Sequence, residues 1–262
     1  MSVAFLNQFP IHYESLGRGR PVVFLHSWVG SWRYWVPSMQ AASASHSNYA
    51  LDLPGFGDTA SSPMASSIEQ LAALVRDFLD EMGIGRIAVV GHGLGALVGM
   101  TFARLQPVRV ARMMTVALPL DPTTLDTRLY SSKPAELLEL LAGRLTQFGE
   151  LLPRDVAVPE RVLNVDEEAT QIRRSLAALQ AAQVPCLLLY GGSDPLLPPP
   201  SPEHISAFDA NFQQVVFPDC GHFPMLEAAD RFNRLMTDFL ALEAGTSPRH
   251  IQPKEEWRRR VR

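Results

Sequence analysis

Six short apolar runs, separated by longer amphipathic stretches, set the limits on what this chain can fold into. They are "PVVFLHS" (21–27), "NYALDL" (48–53), "RIAVVG" (86–91), "VARMMTVAL" (110–118), "VPCLLLYG" (184–191) and "FQQVVFP" (212–218). Each reads as a buried strand, and helices alternating with such strands give an α/β protein with a mostly parallel sheet. Between them, "SIEQLAALVRDFLDEM" (67–82) puts Ile68, Leu71, Leu74, Val75, Phe78, Leu79 and Met82 on one helical face, with Gly83 as the stop. Residues 223–242 form a similar closing helix, with Phe232, Leu235, Phe239 and Leu240 facing inward, and "IHYESLG" (11–17) reads as the arm of an edge hairpin.

A chain of 262 residues, 47% hydrophobic, is long enough to bury a large core in one unit. From Asp121 to Ala182 the alternation breaks. These roughly sixty residues are helix-like, with "PAELLELLAGRLTQFGELL" and "EEATQIRRSLAALQAA" but no strand signal, and they are too many for a loop in a compact domain. A helical lid inserted between two strands fits them. The expected organisation is thus a first core part over 1–120, a lid over 121–182, a second core part over 183–246 and a basic tail over 247–262.

The net charge of −4 hides an asymmetry. The tail "SPRHIQPKEEWRRRVR" carries six of the basic residues and two acids, which leaves the body at about −8. No nucleic-acid motif accompanies the tail, so it is read as a solvated or self-docking end. Two cysteines, Cys186 and Cys220, do not make a disulfide framework. The first residues lack a basic segment followed by an apolar one, and no run approaches the roughly 20 apolar residues that span a bilayer. The expected setting is a reducing, cytoplasmic one, with no membrane span.

"RIAVVGHGLGALVG" (86–99) has the layout of a strand, a tight turn and a helix, the setting in which Gly-x-Ser-x-Gly lifts a serine hydroxyl above a sheet. Here the middle residue is Gly93. Four further stretches stand in a telling order: "FLHSWVGSWRYW", "LDLPGFGDT" (51–59), "YGGSDPLLP" (190–198) and "DCGHFPMLE" (219–227). Together the five resemble the α/β-hydrolase family over nearly all of residues 10–243, with "FLHSWVGSWRYW" standing where that family has His-Gly before its oxyanion loop.

The resemblance implies an α/β-hydrolase fold, a mostly parallel twisted sheet flanked by helices with a helical lid. It implies Asp194 as the acid and His222 as the base of a triad whose nucleophile position is Gly93, and the backbone N–H groups of Trp28 and Leu94 as oxyanion donors. His26, Ser27 and His92 are placed at the pocket. In the family, His26 and His92 match structural positions, which sets aside a metal site built from His26, His92 and His222, and no cofactor is implied. Cys220 is read as an inert turn residue, and Trp28, Trp32, Tyr34 and Trp35 as split between core and pocket wall.

Glycine carries no hydroxyl, so acyl-enzyme chemistry is excluded, while water-mediated hydrolysis, elimination or isomerisation is not. One reading is an enzyme in which the space left by the missing side chain holds a water, activated by His222. It would work without an acyl-enzyme on a small, mostly apolar ester, lactone or ketone. The others are a non-catalytic ligand-binding or scaffold protein on the same shell, and an ordinary serine hydrolase inactivated by substitution. A scaffold has no chemical need for Asp194 and His222 together, which favours the first. Glycine at 93 also relieves the strain that a side chain suffers at such a turn, of order 1–3 kcal/mol.

Overall fold

All six apolar runs form strands in the computed structural model, which describes residues 2–62, 67–121, 165–243 and 245–251, with Thr124, Asp126, Arg128, Glu136, Leu137 and Leu140. They are β3 (Arg20–Leu25), β4 (His46–Leu51), β5 (Ile87–His92), β6 (Val110–Val116), β7 (Cys186–Gly191) and β8 (Phe212–Phe217). The hairpin arm is β2 (Phe9–Gly17), and its partner is a strand the sequence patterning did not reveal, β1 (Ser2–Leu6). The eight strands lie in the order β1-β2-β4-β3-β5-β6-β7-β8. Pairings of β1 with β2 and of β2 with β4 are antiparallel, and the rest are parallel.

Helix α1 spans Val36–Ala42, α2 Ile68–Glu81 and α3 Leu94–Leu105; the end of the lid stretch holds α4 (Val165–Ala181), and after it come α5 (Pro202–Ser206), α6 (Pro224–Glu227) and α7 (Ala229–Ala241). Ser67 caps α2 by accepting the Gln70 N–H at 3.2 Å, a device that stabilises a helix by about 1 kcal/mol. The helix ends at Glu81, Met82 is its C-cap, and Gly83 beyond takes the left-handed backbone at φ +65°. α3 is buried over almost its whole length and packs against both α2 and α4, while α1 packs on α7.

Most of the expected lid lies outside the described residues. Its last part is α4, whose Ile172, Leu176 and Leu179 are buried in the layer of helices beside α3. The closing helix is split in two at Ala228. Its second half, α7, is tied at its carbonyl end by the buried Arg112 of β6, which donates to Phe239 O at 2.6 Å and Leu242 O at 2.7 Å. The start of the tail docks on the body: Ser247 Oγ donates to Ala210 O, and Arg249 donates to Phe208 O, Asp209 O and Phe212 O. Among the described residues no helix is long and apolar enough to cross a membrane.

Register decides where chemistry can assemble. Leu25 of β3 pairs with Gly91 of β5, and Gly191 of β7 with Phe217 of β8, so these parallel strands end at one edge of the sheet. The loops leaving them carry Ser27 and Trp28, Gly93, Asp194 and His222, at the edge where open α/β sheets place their ligand crevices.

Candidate active site

The turn from β5 into α3 is tight enough to dictate its residues. A Cβ on Gly95 would stand 2.2 Å from Leu25 O, so the helix rests directly on the neighbouring strand end. Gly93 caps α3 with φ +48° and ψ −109°, donates its N–H to Val116 O at 2.9 Å, and accepts the N–H groups of Ala96 and Leu97. The next N–H, that of Leu94, lies in the first turn of the helix, where no intrahelical acceptor exists. Neither it nor the Trp28 N–H meets an acceptor among the described residues. Two unclaimed main-chain donors thus flank the turn.

Asp194 and His222 meet across the loops after β7 and β8. His222 Nδ1 lies 2.7 Å from Asp194 Oδ2, and both side chains are almost wholly buried. Asp194 Oδ1 accepts the N–H groups of Leu196 at 2.8 Å and Leu197 at 3.3 Å, so its loop folds around the carboxylate and aims the other oxygen at the imidazole. The carboxylate accepts the Nδ1–H, which leaves Nε2 as the basic nitrogen. A second acid holds the histidine's own loop: Glu227 accepts the Gly221 N–H at 2.7 Å and the Phe223 N–H at 3.0 Å. Sequence reading passed over Glu227, although it stands in the same "DCGHFPMLE" segment.

The remaining expected pocket residues separate into different jobs. His26 is fully buried, with Nδ1 donating to Ser27 O at 2.8 Å and Nε2 accepting the Leu53 N–H at 3.0 Å; it braces the loop after β3, and both of its nitrogens are committed. His92 is also fully buried, and its ring centroid lies 4.7 Å from that of His222. Burial holds His92 well below the ordinary histidine range, with the nearby His222 adding to the effect, so it is neutral at pH 7. The Tyr34 hydroxyl, which sequence reading left among the aromatics, links these parts: it accepts the Ser27 N–H at 2.8 Å and donates to His92 Nδ1 at 3.1 Å. Tyr34 and Trp35 lie in the core, whereas Trp32 is half-buried at the surface.

One expectation needs correction. The space opened by glycine at 93 is not left for a water, because the hydroxyl of Ser27 takes it. A Cβ on Gly93 would stand 2.1 Å from Ser27 Oγ and 3.3 Å from Trp28 Cζ3. Cys220, by contrast, is the inert residue expected, since burial pushes its thiol up to about 11 despite the opposing pull of Arg231.

Among the described residues, the grouping with metal-type donors is His12, Asp52 and Asp58, not the three histidines near the turn. Its donors are committed to holding loops. Asp52 accepts the Trp32 and Asp58 N–H groups at 2.8 and 2.9 Å and meets His12 Nδ1 at 2.9 Å, while Asp58 pairs with Arg33 at 2.9 Å. A cavity of about 170 Å³ opens between the loops after β6 and β7, lined by Leu118, Leu120, Asp121, Leu197, Pro198 and His204. Leu197 is bonded to Asp194, so this cavity borders the acid's loop.

Residues 22–235 match the model of the alpha/beta hydrolase family. The chain belongs to that family. Among curated relatives, it is 25% identical over 268 residues to a 2-hydroxy-6-oxo-6-phenylhexa-2,4-dienoate hydrolase of Burkholderia cepacia, covering 90% of this chain and 93% of the relative. It is 27% identical over 241 residues to the dihydrolipoyllysine-residue acetyltransferase component of an acetoin cleaving system of Pseudomonas putida, covering 85% of this chain but only 64% of that relative's length. Of solved structures, the enol-lactonase from Burkholderia xenovorans LB400 superposes with a TM-score of 0.72 at 20% identity, over 92% of this chain and 100% of the lactonase, a likeness of fold.

Proposed function

We propose that this protein hydrolyses a small, mostly apolar ester or lactone, with His222 as general base, Asp194 as the group that orients it, and the Trp28 and Leu94 N–H groups as the oxyanion hole. The observation that carries this reading is the bond of 2.7 Å between His222 Nδ1 and Asp194 Oδ2. It fixes the tautomer with Nε2 free to accept a proton, and a buried carboxylate behind the ring stabilises the imidazolium that results. Two main-chain donors without acceptors fit the oxygen on which negative charge develops. Residue 93 makes no covalent bond, so the oxygen that His222 activates comes from elsewhere.

The substrate class follows from the lining. The cavity beside the Asp194 loop sets leucines and prolines against Asp121, Thr124, Ser201 and His204, a mixed wall that suits a small acyl group next to a polar ester or lactone function. Curated relatives named as a 2-hydroxy-6-oxo-6-phenylhexa-2,4-dienoate hydrolase, a putative carbamate hydrolase and a pimeloyl-[acyl-carrier protein] methyl ester esterase are consistent with hydrolysis of a carbonyl compound. Purified protein offered p-nitrophenyl esters of increasing acyl length, simple lactones and a charged ester should turn over short uncharged members best. No turnover of any member, with tight binding of one, would favour the non-catalytic ligand-binding alternative.

A further inference from the structure

Two departures from the family's sequence pattern sit face to face: glycine where the elbow has serine, and serine where the loop after β3 has the glycine of His-Gly. The point where a side chain on residue 93 would begin lies 2.1 Å from Ser27 Oγ and 3.1 Å from Ser27 Cβ. A hydroxymethyl group on 93 therefore fits only if the Ser27 hydroxyl turns away from it. Ser27 is 1% exposed, its N–H is held by Tyr34 and its carbonyl by His26, yet its Oγ has no partner among the described residues. Buried hydroxyls are nearly always bonded, because a sealed one without a partner is costly. A glycine or alanine here would avoid that cost, so the hydroxyl calls for a use.

We propose that Ser27 is the nucleophile, its hydroxyl carried to the elbow from the neighbouring loop rather than from residue 93. The proposal rests on the His222–Asp194 reading above and supplies the oxygen it left open. Ser27 Oγ bonds to the ester carbonyl carbon while its proton passes to His222 Nε2, and the carbonyl electron pair moves onto oxygen, facing the Trp28 and Leu94 N–H groups. The intermediate collapses as the carbon–oxygen bond to the alcohol breaks, and the alcohol leaves with the proton from Nε2. Water then attacks the acyl carbon, giving its proton to Nε2, and Ser27 departs and takes that proton back. The sum is ester plus water to acid plus alcohol. Trp28 follows Ser27 as Leu94 follows Gly93, so the amide one residue past the nucleophile serves as oxyanion donor in either arrangement. Ser27 Oγ makes no hydrogen bond to His222 Nε2, and catalytic hydrogen bonds of this kind often form only around the substrate. The Trp28 indole lies 3.3 Å from the same point.

The test is labelling of the full chain with diisopropyl fluorophosphate, located by mass spectrometry, together with ester turnover. One equivalent is expected on Ser27, more slowly in His222→Ala and not at all in Ser27→Ala. Turnover of a p-nitrophenyl ester in Ser27→Ala should fall about 10³-fold or more, with the melting temperature unchanged or raised, since the oxygen removed has no partner. Failure to label, or a label on any other residue, overturns the assignment. If Ser27→Ala turns ester over like the parent protein while His222→Ala does not, the nucleophile is water and the general-base reading survives; if neither variant slows turnover, both fall.

Discussion

Ser27 and Gly93 compete for one volume, and that pair makes the sharpest predictions at the scale of single residues. Gly93→Ser alone brings a Cβ to 2.1 Å from Ser27 Oγ in a backbone of φ +48°, so it should destabilise the protein by more than the roughly 1–3 kcal/mol of backbone strain. Ser27→Gly in the same chain removes the clash. The double variant should then be more stable than Gly93→Ser, and denaturant unfolding of the four proteins in a cycle reads the coupling. Simple additivity would mean that the two side chains do not meet. Asp194→Asn keeps the shape of the side chain but changes what it offers Nδ1, so turnover should drop by about 10⁴-fold with little loss of stability. The histidines set a pH dependence of a different kind. His26 and His92 are fully buried and held below their ordinary range, chiefly by burial, and the buried His46 is lowered in the same direction. Their pKa values are lower folded than unfolded, so below about pH 6.5 the unfolded chain binds more protons and stability falls with falling pH, by up to about 1.4 kcal/mol per pH unit for each histidine. Denaturant midpoints that stay level between pH 7 and 5 would contradict it.

At the scale of elements, the loops matter more than the helices they join. The helix expected over 223–242 breaks at Ala228 because Glu227 turns back to hold the Gly221 and Phe223 N–H groups, closing a turn around His222. That capture was not legible in a periodic apolar pattern, which records only the face that packs. Glu227→Ala frees two buried donors and lets the base drift. It should cost about 1.5–3 kcal/mol and lower turnover about 10- to 100-fold, while unchanged kinetics would show that the loop holds His222 without it. The tail divides likewise. Read as a solvated or self-docking end, it has a first segment held by the Arg249 guanidinium on three carbonyls around the start of β8, with Ile251 buried beside it. Arg249→Ala should lower stability by about 1 kcal/mol, checked by thermal melting. β1 escaped notice for another reason: Val3 and Phe5 are exposed while Ala4 and Leu6 are buried, so the strand is apolar on both sides and shows no alternation to read.

Over the whole molecule, what the sequence exposed was what local pattern can encode: the alternation of strands and helices, the glycines of the turn, and the Asp194 and His222 segments. What it hid depends on register. Ser27 faces Gly93 only because β3 and β5 run parallel with Leu25 beside Gly91, a contact no window of sequence contains. Tyr34 reaches Ser27 and His92 in the same way, across the core. The central claim is that this sheet edge still carries out hydrolysis, with His222 as its base. The most direct measurement is kcat/KM of the parent protein and of His222→Ala on the ester that the substrate panel identifies, with melting curves to show that both are folded. The account predicts a loss of about 10³-fold or more in the variant at an unchanged fold. Equal kcat/KM in the two proteins would contradict it.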